Sequence, residues 1–375
     1  MSGYLIMDKK IVNIASTHRF HLLDLARELA KQGYDVKFYS YVPISRCIKY
    51  GLKKENCSSL FWISLPFFLL AKLFPNKKQI IYTRNIILDY YMAHFMRRCD
   101  IYICLGSVYK QSITEAKRKF NAITILEWGS KHIIEQLKMF NKLDSYSSKS
   151  LQRELDSYQL TDYISISSEH VKLSFLKHGI ASSKLLVNPY GVDLKQFNPT
   201  ELNNNFDIIM VGGWRIEKGC DLLIKVCEQY HFSLLHVGSI INMKFPQCNN
   251  MTHIDSVDQK QLITYYSQAK VFVLPSRAEG LAMVQAQAIA CGLPVVCSKE
   301  TGGKDLKTLL HNSMWIIEMK ELTVECLAKC IYQALELSKT QFGKRNYVGN
   351  DIENLTWEAY GKRYNKILNN IYYEY

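Results

Sequence analysis

Phe206-Asp207-Ile208-Ile209-Met210-Val211-Gly212-Gly213-Trp214-Arg215-Ile216-Glu217-Lys218-Gly219 is the stretch from which the rest of the chain is read. Its first six residues are mostly apolar, the short run that a parallel strand buried on both faces requires. The run stops at two glycines. They let a ligand approach the backbone at the strand's carboxyl edge, where open α/β sheets bind ligands. Leu222, Leu223 and Val226 then recur at helical spacing. Arg215 and Lys218 set two cations three residues apart, just ahead of that helix. The combination suits a pyrophosphate, through charged hydrogen bonds and the positive end of the helix dipole. An exposed turn with solvated charges fits the same spacing.

The strand–turn–helix rhythm extends in both directions. Residues 234–237, 271–274 and 295–297 read as further strands of the same unit. Upstream, residues 11–15, 36–40, 101–105 and 123–126 read as strands, with a loop at 16–19. Leu22, Leu25, Ala26 and Leu29 mark a helix with Gly33 near its C-cap, and residues 112–119 mark another. Strands alternating with helices predict parallel α/β architecture. A break at Asn188-Pro189-Tyr190-Gly191 divides the two runs. The expectation is two Rossmann-like domains, 1–187 and 188–352, with parallel sheets facing a central cleft. Trp357, Tyr360, Tyr364, Ile367 and Leu368 predict an amphipathic helix in 353–375 that covers the back of the first domain.

The chain has 375 residues, 48% hydrophobic and 22% charged, the balance of a folded two-domain protein. Its net charge of +13 is unevenly placed. Residues 1–150 hold 24 Lys and Arg against 11 Asp and Glu, and residues 151–375 hold 23 against 23. The two halves therefore face different partners. No apolar run reaches the length of a membrane span. Residues 1–8 are too short and too early in charge to be expected as a secretory signal. The eleven cysteines are scattered, without a Cys-x-x-Cys pair, so neither a zinc site nor a disulfide framework is expected.

A second informative stretch runs Leu274-Pro275-Ser276-Arg277-Ala278-Glu279-Gly280-Leu281-Ala282-Met283-Val284-Gln285-Ala286-Gln287. Glu279 stands at a strand-to-helix junction, placed to accept hydrogen bonds from sugar hydroxyls or to favour the helix dipole. Gln287 lies eight residues on, about 12 Å along a helix.

In order, Asn188-Pro189-Tyr190-Gly191-Val192-Asp193, Phe197-Asn198-Pro199, Val211-Gly212-Gly213 with Lys218-Gly219, Pro275-Ser276 with Glu279-Gly280, Ala290-Cys291-Gly292-Leu293-Pro294 and Gly302-Gly303 carry a resemblance. The chain resembles the family-4 retaining glycosyltransferases (glycosyl transferases group 1) of GT-B fold. Arg19-Phe20-His21, Asp24-Leu25-Ala26-Arg27 and Glu127-Trp128-Gly129-Ser130 resemble a bacterial polysaccharide-assembly branch of that family.

The resemblance implies roles for particular residues. Arg215 and Lys218 would bind the diphosphate of a nucleotide sugar. Glu279 and Gln287 would contact donor sugar and ribose, and Gly212, Gly213, Gly280 and Leu281 would bring backbone close to the donor. Thr17, His18, Arg19, Trp128, Ser130 and His132 would line the acceptor side, with Glu127 facing the reacting sugar. The catalytic set is then Arg215, Lys218, Glu279 and Glu127. Two positions depart from the family. Gln287 replaces a glutamate and so lacks charge and two equivalent acceptor oxygens. Trp128 replaces an arginine, either stacking on a sugar face or packing in the core.

The function the resemblance implies is retaining transfer of a hexose-type sugar from a nucleotide sugar to a saccharide acceptor, a lipid-linked oligosaccharide of O-antigen or capsule. The alternative is a non-catalytic nucleotide-sugar-binding partner of another glycosyltransferase, and a GT-B phosphorylase or epimerase shares fewer blocks. No Asp-x-Asp triplet occurs, so no metal and no cofactor beyond the donor is expected. Basic clusters at 53–54, 77–78, 97–98 and 117–119, with apolar residues 60–74, leave two readings. One is peripheral attachment to the anionic inner face of the cell membrane from the cytoplasm. The other is a buried helix with a solvated basic rim. Nucleic-acid binding is not expected, because no recognised motif accompanies the charge.

Overall fold

The computed structural model describes residues 9–73, 77–106, 109–140, 147–201, 203, 205–341 and 343–373. Residues 1–8, Phe74 of the apolar segment, and the side chains of Lys77 and Lys78 lie outside what is described. Two compact units divide the chain. The first comprises Met1–Ile166, Phe175–Asn188 and Gly361–Tyr375, and the second Ser167–Ser174 and Pro189–Tyr360.

The first unit is built on β1 (Ile11–Ser16), β2 (Asp35–Ser40), β3 (Cys57–Ser59), β4 (Ile101–Leu105), β5 (Ile123–Trp128), β6 (Tyr163–Ile166) and β7 (Leu185–Val187). These strands form one parallel sheet in the order β3-β2-β1-β4-β5-β6-β7. Val12, Ile14, Ile101, Ile103, Ile125 and Leu126 are fully buried, as strands covered on both faces demand. The helix Phe20–Lys31 turns Leu22, Leu25, Ala26 and Leu29 inward. It closes at Gln32, and Gly33 takes the left-handed conformation one residue later (φ +97°).

The second unit repeats the plan with β8 (Phe206–Val211), β9 (Leu234–Val237), β10 (Met251–Ile254), β11 (Ala269–Leu274), β12 (Val295–Cys297) and β13 (Ile316–Glu318). The order is β10-β9-β8-β11-β12-β13, again all parallel. Ile208, Val271, Phe272 and Val295 are completely enclosed, each contributing about 1.5–3 kcal/mol by burial. The strand order reverses between β8 and β11, the position where sheets of this kind open a crevice for ligand.

The tail is a single helix, Trp357–Tyr373. From Gly361 onward it belongs to the first unit. Gly361 is pressed so closely on Glu28 that a Cβ there would stand 2.4 Å from that residue's own. Tyr34 donates to Asn365 at 2.8 Å and Tyr364 to Glu127 at 2.6 Å. The apolar segment forms the helix Phe61–Leu73. Trp62, Ile63, Leu69, Leu70 and Leu73 on it are exposed rather than enclosed, which removes the buried-helix reading for those residues. Among the described residues, no helix is long and apolar enough to cross a membrane.

Candidate active site

In the second unit the reversal point is furnished by the loops after β8 and β11. Gly212 adopts φ +132°, accessible to glycine, and its N–H donates to Val237 O at 2.9 Å. Its carbonyl accepts from His236 Nε2 at 2.8 Å. Gly238 is held to glycine by that same carbonyl, whose oxygen would lie 2.1 Å from an added Cβ. Ile216–Lys218 form a single 3-10 turn ended by Gly219 in the left-handed region (φ +75°). A side chain on Gly219 would collide with the Pro275 carbonyl, its Cβ 2.2 Å from the oxygen. The two loops therefore touch backbone to backbone.

Further bonds lace them together. Arg277 N–H and Ser276 Oγ both donate to Glu217 O, at 2.8 and 3.0 Å. Arg277 grips Asp221 with two bonds of 2.7 Å. Burial alone would raise the Asp221 carboxyl, but the Arg277 bonds outweigh it and hold it below the usual range.

On this frame Lys218 forms an ion pair with Glu279, both side chains largely shielded from solvent. Ser276 Oγ lies 3.0 Å from the same Glu279 oxygen, so its one proton is shared between that carboxylate and Glu217 O. Glu279 is fixed at its backbone, N–H to Glu300 O at 2.9 Å and carbonyl to His170 Nε2 at 2.9 Å. Ser168 Oγ donates to Gly280 O at 3.0 Å. The N–H groups of Gly280 and Leu281 make no hydrogen bond among the described residues.

Arg215 differs from its neighbours. Its backbone N–H is satisfied by Cys220 Sγ at 3.3 Å. Its guanidinium has no partner among the described residues, and Nε is buried. The buried Nε–H is a donor without an acceptor, which an anion's oxygen would satisfy. The structure thus brings together Gly212, Gly213, Arg215, Lys218, Glu279, Gly280 and Leu281 around one reversal point. Gln287 is placed differently. It sits in the helix Met283–Ala290, 5% exposed, with Oε1 accepting from the buried Tyr266 hydroxyl at 3.2 Å.

The first unit treats its polar residues otherwise. After β1, Thr17 Oγ1 and His18 Nδ1 lie 2.7 Å apart, and His18 Nε2 is 3.1 Å from an Arg84 nitrogen. Arginine only donates, so Nε2 accepts and the neutral ring keeps its proton on Nδ1, toward Thr17. Burial, and then the Arg84 charge, lower the His18 pKa. Arg19 stacks on Tyr50, 3.8 Å from the ring centre.

Glu127, at the end of β5, is 1% exposed. Its carboxylate binds His21 at 2.8 Å and Tyr364 at 2.6 Å. Trp128 is buried edge-on to Tyr158, its indole N–H donating to Lys131 O at 3.0 Å. Of the two readings for this residue the structure shows core packing, with the ring pressed on Gly106, where an added Cβ would come within 1.9 Å. His132 is buried too, stacked 4.2 Å from His178. Burial, with the His178 charge, lowers its pKa to about 4. Ser130 is half-buried.

His236, His170 and Arg84 escape a reading of the sequence by motif. His236 offers one signal: a polar residue inside the apolar run Leu234–Val237 must have a buried partner. Among the described residues no cluster of three or more His, Cys, Asp or Glu is placed to hold a metal ion.

Residues 193–349 match the family described as glycosyl transferases group 1. An uncharacterised glycosyltransferase of Haemophilus influenzae is 26% identical over 309 residues, 78% of this chain and 79% of that one. The capsular polysaccharide biosynthesis glycosyltransferase CapM of Staphylococcus aureus is 26% identical over 251 residues, 58% of this chain and 65% of CapM. An uncharacterised glycosyltransferase of Methanocaldococcus jannaschii is 29% identical over 115 residues, 29% of this chain, and the match spans about a third (32%) of that relative. Sucrose-phosphate synthase from Thermosynechococcus elongatus superposes with a TM-score of 0.70 at 16% identity, covering 98% of this chain and all of the other. Anabaena HepE, solved with UDP and glucose, superposes at 0.63 and 12% identity, covering 96% of this chain and all of HepE.

Two parallel α/β sheets and these likenesses define the GT-B fold. Residues 193–349 of the chain are similar to the group 1 glycosyl transferases, and the chain as a whole has that fold.

Proposed function

We propose that the protein is a retaining glycosyltransferase that moves a hexose-type sugar from a nucleotide-sugar donor to a saccharide acceptor. The acceptor would be a lipid-linked oligosaccharide of a surface polysaccharide, O-antigen or capsule, reached from the inner face of the membrane. One observation carries the donor side: the partnerless Arg215 guanidinium beside the Lys218–Glu279 pair, at the reversal point of the second sheet. HepE, solved with UDP and glucose, and CapM, named for capsular polysaccharide, support the substrate classes.

In this reading an incoming diphosphate meets Arg215 first and then draws Lys218 from Glu279. Glu279, still fixed through its backbone, is left to accept hydrogen bonds from the donor sugar. The unbonded N–H groups of Gly280 and Leu281 add neutral donors on the same side. As the sugar–phosphate bond breaks, negative charge grows on the diphosphate, and the two cations stabilise it without reorganising. The acceptor oxygen bonds to the anomeric carbon on the face the diphosphate leaves, and the acceptor's proton passes to the departing phosphate. No metal is assigned to this step.

A thermal-shift series with UDP-, GDP- and other nucleotide sugars tests the reading. A bound ligand raises stability by RT ln(1 + [L]/Kd). One nucleotide class should raise Tm, and Arg215→Ala should abolish the rise. A rise that persists in Arg215→Ala places the diphosphate elsewhere.

A further inference from the structure

The helix Phe61–Leu73 is apolar around almost its whole circumference, Ser64 and Lys72 being its polar residues. At 100° per residue, Trp62, Ile63, Pro66, Leu69, Leu70 and Leu73 fall on one arc of about 120°. All six are exposed, Trp62 by 77% and Leu73 by 76%. On the opposite side Phe61, Leu65 and Phe67 are half-buried and Ser64 is enclosed, its hydroxyl donating to Phe61 O at 2.8 Å. A helix at a water-facing surface ordinarily shows its polar side outward. A continuous apolar stripe along thirteen residues instead marks a surface that meets a partner.

The charge around the helix indicates what that partner is. Between Glu55 and Asp89 the sequence contains no acidic residue, while Lys72, Lys77 and Lys78 fall in that stretch. Arg46, Lys49, Lys53 and Lys54, just upstream, are exposed. A second copy of the same face would bring like charges together, so self-association is disfavoured. An anionic lipid surface satisfies both features, taking the exposed apolar side chains below its headgroups and attracting a stretch of chain that carries basic and no acidic residues.

We propose that the outward stripe of Phe61–Leu73 lies in the interface of an anionic bilayer as a non-spanning anchor. The inference deepens the membrane-side reading above and names the element responsible. The helix would lie parallel to the surface, with Trp62 at one end and Leu73 at the other.

Co-sedimentation of the full chain with vesicles of phosphatidylcholine, with and without phosphatidylglycerol, tests it. The protein should partition at least tenfold more strongly onto the anionic vesicles, and added salt should weaken this. The variant Trp62→Ser/Leu69→Ser/Leu73→Ser should lose at least tenfold in partitioning while keeping the nucleotide-induced Tm rise, which shows that it is folded. Equal recovery with both vesicle types overturns the anionic-bilayer assignment and the membrane reading together. Strong binding by the triple variant leaves the membrane reading standing and removes this helix from it. A wild-type dimer that the triple variant converts to monomer, in sedimentation velocity, overturns the lipid assignment in favour of a second copy. The donor reading is judged separately, by the Tm rise in Arg215→Ala.

Discussion

The two sheets reverse their strand order at corresponding places, between β1 and β4 in the first unit and between β8 and β11 in the second. Around the first, the polar groups pair internally: the neutral His18 with Thr17 and Arg84, and Glu127 with His21 and Tyr364. Around the second, Arg215 has no partner among the described residues, and Lys218 is paired with a single carboxylate. The backbone plan is common, and the loops decide whether a sheet edge is left short of an anion. One edge is chemically closed and the other is open to a negatively charged ligand.

The contrast can be attacked by substitution. Lys218→Ala should have the largest effect, a fall of about a hundred- to a thousand-fold in transfer rate, as for loss of one preorganised donor. Measured turnover within tenfold of wild type would mean that the second edge is not the charged one in catalysis. Glu127→Ala strips His21 and Tyr364 of their common partner, at about 1–3 kcal/mol for each stranded group. Calorimetry should show Tm lower by roughly 10 °C, with the nucleotide-induced rise intact in a folded sample. If Tm is unchanged and turnover collapses, Glu127 is exposed to substrate and the closed description of the first edge fails.

Asp305 probes the same contrast by pH. It is buried in the second unit and accepts the Glu169 N–H at 2.9 Å. Burial raises its carboxyl to about 6 from the usual 3.8. The native state holds this proton more tightly than the unfolded chain, so its stabilising contribution is full below about pH 4 and is lost as pH rises through about 6. Asp305→Asn keeps the acceptor and removes the ionisation. Its Tm relative to wild type should therefore improve between pH 5 and pH 7.5, and a constant difference would refute the assignment. The smallest effect belongs to Arg84→Met. Burial first, and then the Arg84 charge, depress His18, so removing the charge should raise its NMR titration midpoint toward 6.5 without restoring it fully.

Much of this was legible in the sequence because buried parallel strands and glycine turns are written in local composition. Residues 206–219 carry a strand, two glycines that permit close backbone approach and two cations in local sequence alone. The strands β3 and β10 are not legible in the same way, since Cys57-Ser58-Ser59 and Met251-Thr252-His253-Ile254 lack the apolar run that marks the equally short β9 and β12. Partners distant in sequence are also hidden. Nothing near Glu127 points to Tyr364, 237 residues away, or near Gly212 to His236. Gln287 and Trp128 show the opposite limit. Family likeness suggests ligand contacts for both, while their burial depends on Tyr266, Gly106 and Tyr158 packed around them.

The tail helix has a consequence for biosynthesis. Domains ordinarily condense in order as the nascent chain leaves the ribosome. Here Tyr364 completes the Glu127 network and Gly361 abuts Glu28, so the first unit waits for residues made after the second. A ribosome stalled after residue 188 would present a core whose final stave has yet to be translated.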